Sequence, residues 1–89
     1  MKLEVVSQNN CKGCLELKTY LDNVYPDLEY DYKNIDKLEE DERQGFIQEN
    51  YIMSTPVSIV RDEDGEEVFR VTGFQAGNTT EIDLAVDQL

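Results

Sequence analysis

The sequence contains no histidine, only two cysteines, and only eight lysine and arginine residues against twenty aspartate and glutamate residues. Without histidine and without a second cysteine pair, one chain cannot supply the four nitrogen and sulfur ligands of a tetrahedral zinc site. A zinc ion shared by two chains, with two cysteines from each, is the one arrangement of this kind left open. We therefore expect no metal site within a single chain.

The scarcity of basic residues gives the chain a formal net charge of −12. A surface this acidic repels nucleic-acid phosphates and anionic lipid headgroups, so we expect neither nucleic acid nor a membrane among the partners. The charge either favours a partner with a basic docking face or only keeps a small protein in solution. The sequence does not decide between these two interpretations.

Long apolar runs are also missing. No segment approaches the length needed to span a bilayer, and residues 1–8 lack the apolar stretch of a signal peptide. We therefore expect a cytoplasmic protein, where a cysteine pair is more often catalytic or metal-binding than a structural cross-link. A chain of 89 residues has room for one hydrophobic core, so we expect a single domain over residues 1–89. We also expect a monomer.

Both cysteines fall in residues 5–17, VVSQNNCKGCLEL. A short apolar run predicts a strand over residues 3–7, and helix signals begin after a polar turn at Asn10, a favourable N-cap residue. Cys11 and Cys14 are thus three residues apart at the start of a helix. A Cys-x-x-Cys pair between a strand and a helix is typical of a dithiol redox site.

Periodicity and turn residues predict seven elements in the order βαβαββα. The predicted strands are residues 3–7, 28–33, 56–61 and 66–72, and the predicted helices are residues 10–24, 36–50 and 78–88. The second strand alternates apolar and polar residues, which predicts a half-exposed edge strand. Parallel strands need helical crossovers, whereas the last two strands need only the turn at Asp64-Gly65. We therefore predict an α/β fold, a four-stranded mixed sheet flanked by three helices on both of its faces.

Several helix positions carry more specific predictions. The first helix should end before Pro26. Its buried face should consist of the residues at three- and four-residue spacing, Cys14, Leu17, Leu21 and Val24. Gly45 costs its helix about 1 kcal/mol relative to alanine, so it should mark a kink or a close contact. Asn78, with Glu81 three residues later, predicts the N-cap of the last helix.

Three segments in matching order and spacing resemble thioredoxin-fold proteins over essentially the whole chain. The first is CKGC at residues 11–14. The second is STPV at residues 54–57, similar to the Ser-x-Pro-Thr segment that carries a cis proline in this family. The third is GEEVFRVTG at residues 65–73, which resembles the Gly-Glu-x-x-x-Arg-x-x-Gly hairpin. Together they predict a minimal thioredoxin fold in a small thioredoxin-like protein of the thioredoxin/glutaredoxin superfamily.

The resemblance implies roles for the cysteines. Cys11 would be the exposed nucleophile, and Cys14 would resolve the mixed disulfide. Helix N-terminal amides and the helix dipole stabilise a thiolate at such a position. Lys12 would add a positive charge and, with Gly13, tune the pair. No bound cofactor is implied, because the redox-active Cys11–Cys14 disulfide is itself the redox group.

The resemblance also implies a substrate-binding surface. The Thr55-Pro56 bond would be cis and packed against the dithiol, and the Thr55 backbone would pair with a bound substrate strand. Gly73 and Phe74 would lie beside the site and add apolar docking surface. For Phe74, simple core packing is an equally supported alternative. The implied function is a thiol–disulfide oxidoreductase that reduces protein disulfides, restored by a flavoprotein reductase of the thioredoxin-reductase kind, in electron transport and cell redox homeostasis.

Three departures from thioredoxins weaken the transfer of detail. Asn10 stands where thioredoxins have an aromatic residue, and residues 12–13 are Lys-Gly rather than Gly-Pro. Val5 stands where thioredoxins bury an aspartate, and strand alternation sends Glu4 to the opposite face. Cys14 must then lose its proton to water or to another group, so we expect slower or differently pH-dependent exchange.

These departures leave two alternatives. The missing aspartate also resembles glutaredoxins and the glutaredoxin-like redoxins that donate electrons to ribonucleotide reductase, although residues 73–78 lack the glutathione-binding pattern Gly-Gly-x-Asp. The other alternative is a thioredoxin-fold binding module whose cysteines are redox-inert or sensory.

Overall fold

The computed structural model describes all 89 residues of the chain. Its elements follow one another as β1 (Lys2–Ser7), α1 (Lys12–Val24), β2 (Asp31–Asn34), a short 3₁₀ helix (Ile35–Lys37), α2 (Glu40–Asn50), β3 (Val57–Arg61), β4 (Glu67–Thr72) and α3 (Thr80–Asp87). The predicted order βαβαββα is confirmed, with the 3₁₀ helix as an addition. None of the helices is long and apolar enough to cross a membrane.

The four strands form one mixed sheet in the order β2-β1-β3-β4. β1 runs parallel to β2, with α1 as the crossover, and antiparallel to β3, which pairs in turn with β4. The β3–β4 turn uses Gly65 at a φ of +82°, a conformation that glycine adopts without steric cost. The predicted α/β architecture, a four-stranded mixed sheet with three helices, is therefore confirmed, and β2 lies at an edge as expected.

Helices cover both faces of the sheet because successive strand residues point to opposite faces, and the inner strands β1 and β3 carry apolar side chains on each face. On one face, α1 and α3 pack around what we call the α1–α3 cluster: Leu3, Val5, Leu17, Leu21, Val60, Val71, Ile82 and Ala85. On the other face, the 3₁₀ helix and α2 pack around a smaller cluster: Val6, Ile35, Ile52, Val57 and Ile59. The helix that carries the cysteines is thus held on the sheet by its own buried leucines.

β2 is shorter than predicted, because it covers Asp31–Asn34 and not residues 28–33. The Leu28 N–H donates to the Tyr25 carbonyl at 3.0 Å, so the chain is still turning here after α1. Leu28 and Tyr30 nevertheless pack against the α1–α3 cluster. The alternation of apolar and polar residues therefore identified the buried side of an extended segment, but not its hydrogen bonding.

The predicted helix over residues 36–50 is divided in two. The Asn34 side chain accepts the Asp36 N–H at 2.9 Å and caps the 3₁₀ helix, and α2 begins only at Glu40. Gly45 lies within α2, which runs unbroken past it, and a Cβ placed there would meet no atom within 4 Å. The predicted close contact at Gly45 is therefore wrong.

α1 ends at Val24, before Pro26, as predicted, but its start and the exposure of its last residue differ from the prediction. Its N-cap is Cys11 and not Asn10, whose φ of +57° keeps it in the turn before the helix. Val24 is 49% exposed and not part of the buried face, because the next residue, Tyr25, packs against the α1–α3 cluster instead. The rest of the predicted buried face is confirmed, since Cys14, Leu17 and Leu21 are all buried.

The N-cap of α3 is Thr79 and not Asn78. The Asn78 side chain still contributes, because its Oδ1 accepts the Thr80 N–H at 3.3 Å, but no capping bond joins it to Glu81. The Thr79 hydroxyl donates to Asp83 Oδ2 at 3.0 Å. This bond belongs to a network in which Asp83 also accepts the hydroxyls of Tyr20 and Tyr25.

Candidate active site

The two cysteines lie where β1 gives way to α1. Cys11 and Cys14 form a disulfide, with their Cα atoms 5.3 Å apart. Cys11 is half-buried, whereas Cys14 is 1% exposed and lies on the buried side of α1 with Leu17. This difference in exposure agrees with the predicted roles of Cys11 as the nucleophile and Cys14 as the resolving cysteine.

Cys11 is itself the N-cap of α1. Its Sγ accepts the Cys14 N–H at 3.1 Å, and its carbonyl accepts the Leu15 N–H at 3.3 Å. The sulfur therefore lies where free amide groups and the positive end of the helix dipole favour a negative charge. Because the thiolate is the nucleophilic form of cysteine, this position favours the form of Cys11 that attacks a disulfide.

The two residues between the cysteines differ in their surroundings. Lys12 is almost fully exposed, and its Nζ lies 3.7 Å from the Glu16 carboxylate, so that residue and water screen its charge. Gly13 lies against the proline loop, where a Cβ would be 3.2 Å from Pro56 Cδ and 3.7 Å from the Phe74 carbonyl oxygen. Glycine therefore permits a close approach that a side chain would obstruct.

The loop before β3 brings residues distant in sequence to the cysteines. The Thr55-Pro56 bond is cis, as the resemblance implied, and the Thr55 hydroxyl donates to Cys11 Sγ at 3.5 Å. The Gly73 N–H donates to the Pro56 carbonyl at 2.7 Å, with a φ of +81° that favours glycine. The structure thus places Thr55, Pro56 and Gly73 together beside the cysteine pair.

An open groove of about 420 Å³ runs beside this loop. Its walls come from the proline loop, from Gly13, Gly73 and Phe74, and from the start of α3. No lysine or arginine lines the groove, and its only charged side chain is Glu81. An extended neutral or positively charged chain therefore fits this groove better than an anion does.

Phe74 combines the two roles that the sequence left open. Its ring packs 5.6 Å from the Tyr20 ring and against the α1–α3 cluster, and it also lines the groove. On its other side, Phe74 borders a shallow apolar depression with Leu15, Tyr20 and Ala76. Leu15 is 66% exposed. The sequence prediction missed Leu15, although its place directly after buried Cys14 puts it on the open face of the helix.

Hydrogen bonds that the sequence did not predict hold the loop before Cys11. The Asn9 N–H donates to Asp36 Oδ2 at 2.7 Å, and Asn9 Oδ1 accepts the Asn34 side-chain amide at 3.0 Å. Asp36 forms an ion pair with Arg43 at 3.4 Å. The chain therefore reaches Cys11 from a loop fixed to the end of β2 and to α2.

A hydrogen-bond network joins α1 to α3 on the opposite side of the site. Asp83 Oδ1 accepts the hydroxyls of Tyr20 and Tyr25 at 2.7 Å each, and Oδ2 accepts that of Thr79. The bond from Tyr20, with those from Tyr25 and Thr79, lowers the pKa of Asp83. The bond to Asp83, with burial, raises the pKa of Tyr25 well above that of free tyrosine. The network fixes Tyr20, whose ring supports Phe74.

The β1 position at which thioredoxins bury an aspartate holds an apolar residue here. Val5 is fully buried in the α1–α3 cluster. Glu4 lies on the opposite face, where its carboxylate is 3.2 Å from Arg61, so the predicted alternation is confirmed. The only buried polar side chains besides the cysteine are those of Ser7 and Ser58. The core therefore holds no carboxylate to accept a proton from Cys14.

Comparison with known proteins agrees with this geometry. No protein-family model matches the chain. The SPbeta prophage-derived thioredoxin-like protein YosR of Bacillus subtilis (strain 168) is 29% identical over 82 residues, which are 92% of this chain and 94% of that relative. The crystal structure of the thioredoxin-like protein BC3987 superposes with a TM-score of 0.62 at 26% identity, covering 99% of this chain and 100% of that one. Mitochondrial thioredoxin 3 of Saccharomyces cerevisiae, in its oxidized form, superposes with a TM-score of 0.67 at 18% identity, covering 98% of this chain and 76% of that one.

Fold, disulfide and similarity therefore agree. The mixed sheet and the Cys11–Cys14 pair at the start of α1 occur in a chain that resembles thioredoxin-like proteins over nearly its full length. This combination supports thiol–disulfide oxidoreductase as the general class of function. The chain has the thioredoxin fold with a Cys-Lys-Gly-Cys motif at the start of α1, and it is similar to thioredoxin-like proteins over nearly its full length.

Proposed function

We propose that this protein is a thiol–disulfide oxidoreductase of the thioredoxin type, which reduces protein disulfides through Cys11 and Cys14. One observation carries the proposal. Cys11 is half-buried at the N-cap of α1 and its Sγ accepts the Cys14 N–H, whereas Cys14 is buried and bonded to it. This arrangement supports one accessible nucleophile and one protected thiol that resolves the intermediate.

The reaction balances in two exchange steps. The Cys11 thiolate attacks one sulfur of the substrate disulfide, forms a mixed disulfide and releases the other substrate sulfur, which takes up a proton. Cys14 then loses its proton and attacks Cys11 Sγ, which releases the second substrate sulfur as a thiol. The substrate gains two electrons and two protons, and the protein is left with the Cys11–Cys14 disulfide.

A flavoprotein reductase of the thioredoxin-reductase kind would return the pair to the dithiol. The cysteine pair carries the electrons, so the proposal includes no bound cofactor. We place this cycle in the cytoplasm, and we propose that the protein acts as a monomer. The formal charge of −12 supports a reductase or substrate whose docking face is basic, because complementary charge speeds association.

The groove supports a polypeptide as the substrate. The Thr55 backbone beside the cis proline would pair with an extended substrate strand, and Phe74 and Gly73 would contact its apolar side chains. Leu15 extends this apolar surface on the other side of Phe74. Main-chain pairing supplies affinity in such complexes, and the neighbouring side chains supply specificity.

A glutaredoxin-like electron donor, for instance to ribonucleotide reductase, is the second candidate. Val5, in place of a buried carboxylate, is the observation that favours it. The groove argues against glutathione as its reductant, because Glu81 is the only charged side chain in the lining and glutathione is an anion. A donor role served by a protein reductase requires no such site.

Insulin reduction tests the proposal against both the glutathione-dependent role and a redox-inert binding module. With NADPH and a thioredoxin reductase, we expect the parent protein to accelerate insulin reduction and the Cys11→Ser variant to be inactive. Glutathione with glutathione reductase should support less than about a tenth of that rate. An inactive parent protein, with dithiothreitol as well as with the enzyme, would favour the redox-inert module. Equal rates for the parent and Cys11→Ser would refute the role of Cys11.

A further inference from the structure

Ser58, in the middle of β3, has a buried hydroxyl without a hydrogen-bond partner. The residue is 0% exposed, and its Oγ forms no hydrogen bond. The other buried serine, Ser7, donates to the Lys33 carbonyl at 3.4 Å. Because an unpaired buried hydroxyl destabilises a folded protein, most such groups find a partner. The Ser58 hydroxyl is therefore free to bond a partner that another redox state supplies.

The sheet register places Ser58 in a row of strand residues on the face of the sheet that α1 covers. Tyr32, Val5, Ser58 and Val71 are successive partners across all four strands. Strand alternation puts Ser58 on the face that α1 covers, because Val60, two residues later, belongs to the α1–α3 cluster. The Tyr32 hydroxyl lies 3.5 Å from the carbonyl of Cys14, so one end of this row reaches the start of α1.

Cys14 is the group in this layer that changes charge during the proposed reaction. It is 1% exposed and lies on the same side of α1 as Leu17. When it loses its proton to resolve the mixed disulfide, a thiolate forms in apolar surroundings, which disfavour it unless a donor is at hand. The buried side chains include no basic residue, and Ser58 holds the buried hydroxyl left without a partner.

We propose that the Ser58 hydroxyl donates a hydrogen bond to Cys14 Sγ as the Cys14 thiolate forms, and thereby promotes the resolving step. The proposal rests on the function proposed above. Ser58 keeps its own proton. The proton that leaves Cys14 passes through solvent to the released substrate thiolate, while the sulfur–sulfur bond of the mixed disulfide breaks and the Cys11–Cys14 bond forms.

The other titratable groups packed against this layer are tyrosines and one aspartate. They are Tyr20, Tyr25, Tyr30 and Tyr32 and, from α3, Asp83, which accepts the hydroxyls of Tyr20 and Tyr25. Tyrosine hydroxyls titrate well above neutral pH, and a carboxyl group stabilised as its anion titrates well below it. A change in the pH midpoint of the resolving step between about pH 6 and 9 therefore reports on the thiols.

The test follows both exchange steps in one reaction of the full-length reduced protein. An aromatic disulfide releases one coloured thiolate when Cys11 attacks it and a second when Cys14 resolves the mixed disulfide. In Ser58→Ala, we expect the pH midpoint of the second release to rise by about one unit. The second release should slow about three- to fourfold near neutral pH, because tenfold less thiolate is partly offset by its greater nucleophilicity. Above both midpoints the same variant should be about threefold faster than the parent.

Two internal controls separate this effect from a general disturbance. The first release, which depends on Cys11, should be unchanged in Ser58→Ala. Ser58→Thr keeps the hydroxyl and should restore the parent's midpoint for the second release. The oxidised Ser58→Ala variant should unfold at a urea concentration no lower than the parent's, because it loses no hydrogen bond.

Three results would overturn the proposal: an unchanged second midpoint in Ser58→Ala, equal shifts in both steps, or failure of Ser58→Thr to restore the parent's behaviour. A parent protein that gives no first release contradicts the proposed function itself. Failure of the Ser58 proposal leaves both releases in place, so the two failures are distinguishable.

Discussion

Replacing Asp83 tests whether the network between α1 and α3 stabilises the fold next to the site. The carboxylate accepts three hydroxyl groups, from Tyr20, Tyr25 and Thr79. Fully buried hydrogen bonds to a charged group would together contribute several kcal/mol. Asp83 is partly exposed, so solvent screening reduces the sum. We expect Asp83→Ala to lower the free energy of unfolding by about 2 kcal/mol at neutral pH.

The pH dependence follows from the direction of each pKa shift. The pKa of Asp83 is lower in the folded protein, so its contribution is present above the unfolded pKa of about 4 and is lost as the pH falls through the folded value. The pKa of Tyr25 is raised in the folded protein. Its contribution is therefore present below about pH 10 and is lost as the pH rises towards the folded pKa.

Urea unfolding of the parent and of Asp83→Asn measures this dependence. The amide keeps one acceptor but not the charge, so the parent should be more stable by about 1 kcal/mol at neutral pH and by about zero at pH 2. Asp27→Asn, at an exposed carboxylate without a side-chain hydrogen bond, is the matched control for net charge. A difference between the parent and Asp83→Asn that is the same at both pH values would refute this reasoning.

Two further substitutions test the supports of the site. Gly13→Ala gains about 1 kcal/mol of helix propensity, which the 3.2 Å contact with Pro56 Cδ offsets. The free energy of unfolding should therefore change by less than about 1 kcal/mol, while kcat/KM for insulin falls about tenfold because the proline loop is displaced. An unchanged kcat/KM would show that the loop moves freely. Asp36→Ala removes the acceptor of the Asn9 N–H, so we expect that amide to exchange with solvent about tenfold faster in hydrogen-exchange NMR. Arg43→Met keeps this acceptor and should keep most of the protection; equal exchange in the parent and Asp36→Ala would contradict the role of this hydrogen bond.

The periodicity of hydrophobic residues was sufficient to predict the order of the helices and strands, but not where each begins and ends. Leu28 and Tyr30 are apolar at strand spacing because they cover the α1–α3 cluster, although a turn precedes them and they join no ladder. The N-caps were misplaced because Asn10 and Asn78 have suitable side chains, whereas the backbone places the N-cap of each helix at the following residue. The type of side chain indicates which residues could be N-caps, and the path of the backbone in the folded protein determines which of them is the N-cap.

The cysteines, the cis proline and Gly73 were identified from the sequence, because a resemblance in three segments implied that they meet. Leu15 and Ser58 were missed for a different reason. Leu15 belongs to a segment whose pattern the amphipathic helix already explained, and Ser58 belongs to a segment whose pattern the apolar strand already explained. Whether one residue in such a segment is exposed or buried depends on which element packs over it, and this is a property of the assembled fold.

Trapping the mixed disulfide tests the central claim, that Cys11 attacks and Cys14 resolves. A reduced Cys14→Ser variant mixed with a disulfide-containing protein should accumulate one covalent adduct, which peptide mass spectrometry should locate at Cys11. The reduced Cys11→Ser variant should form less than about a hundredth as much adduct, because Cys14 is 1% exposed and only accessible thiolates react. Adducts at Cys14 that form as fast as those at Cys11, or no adduct in either variant, would contradict the account.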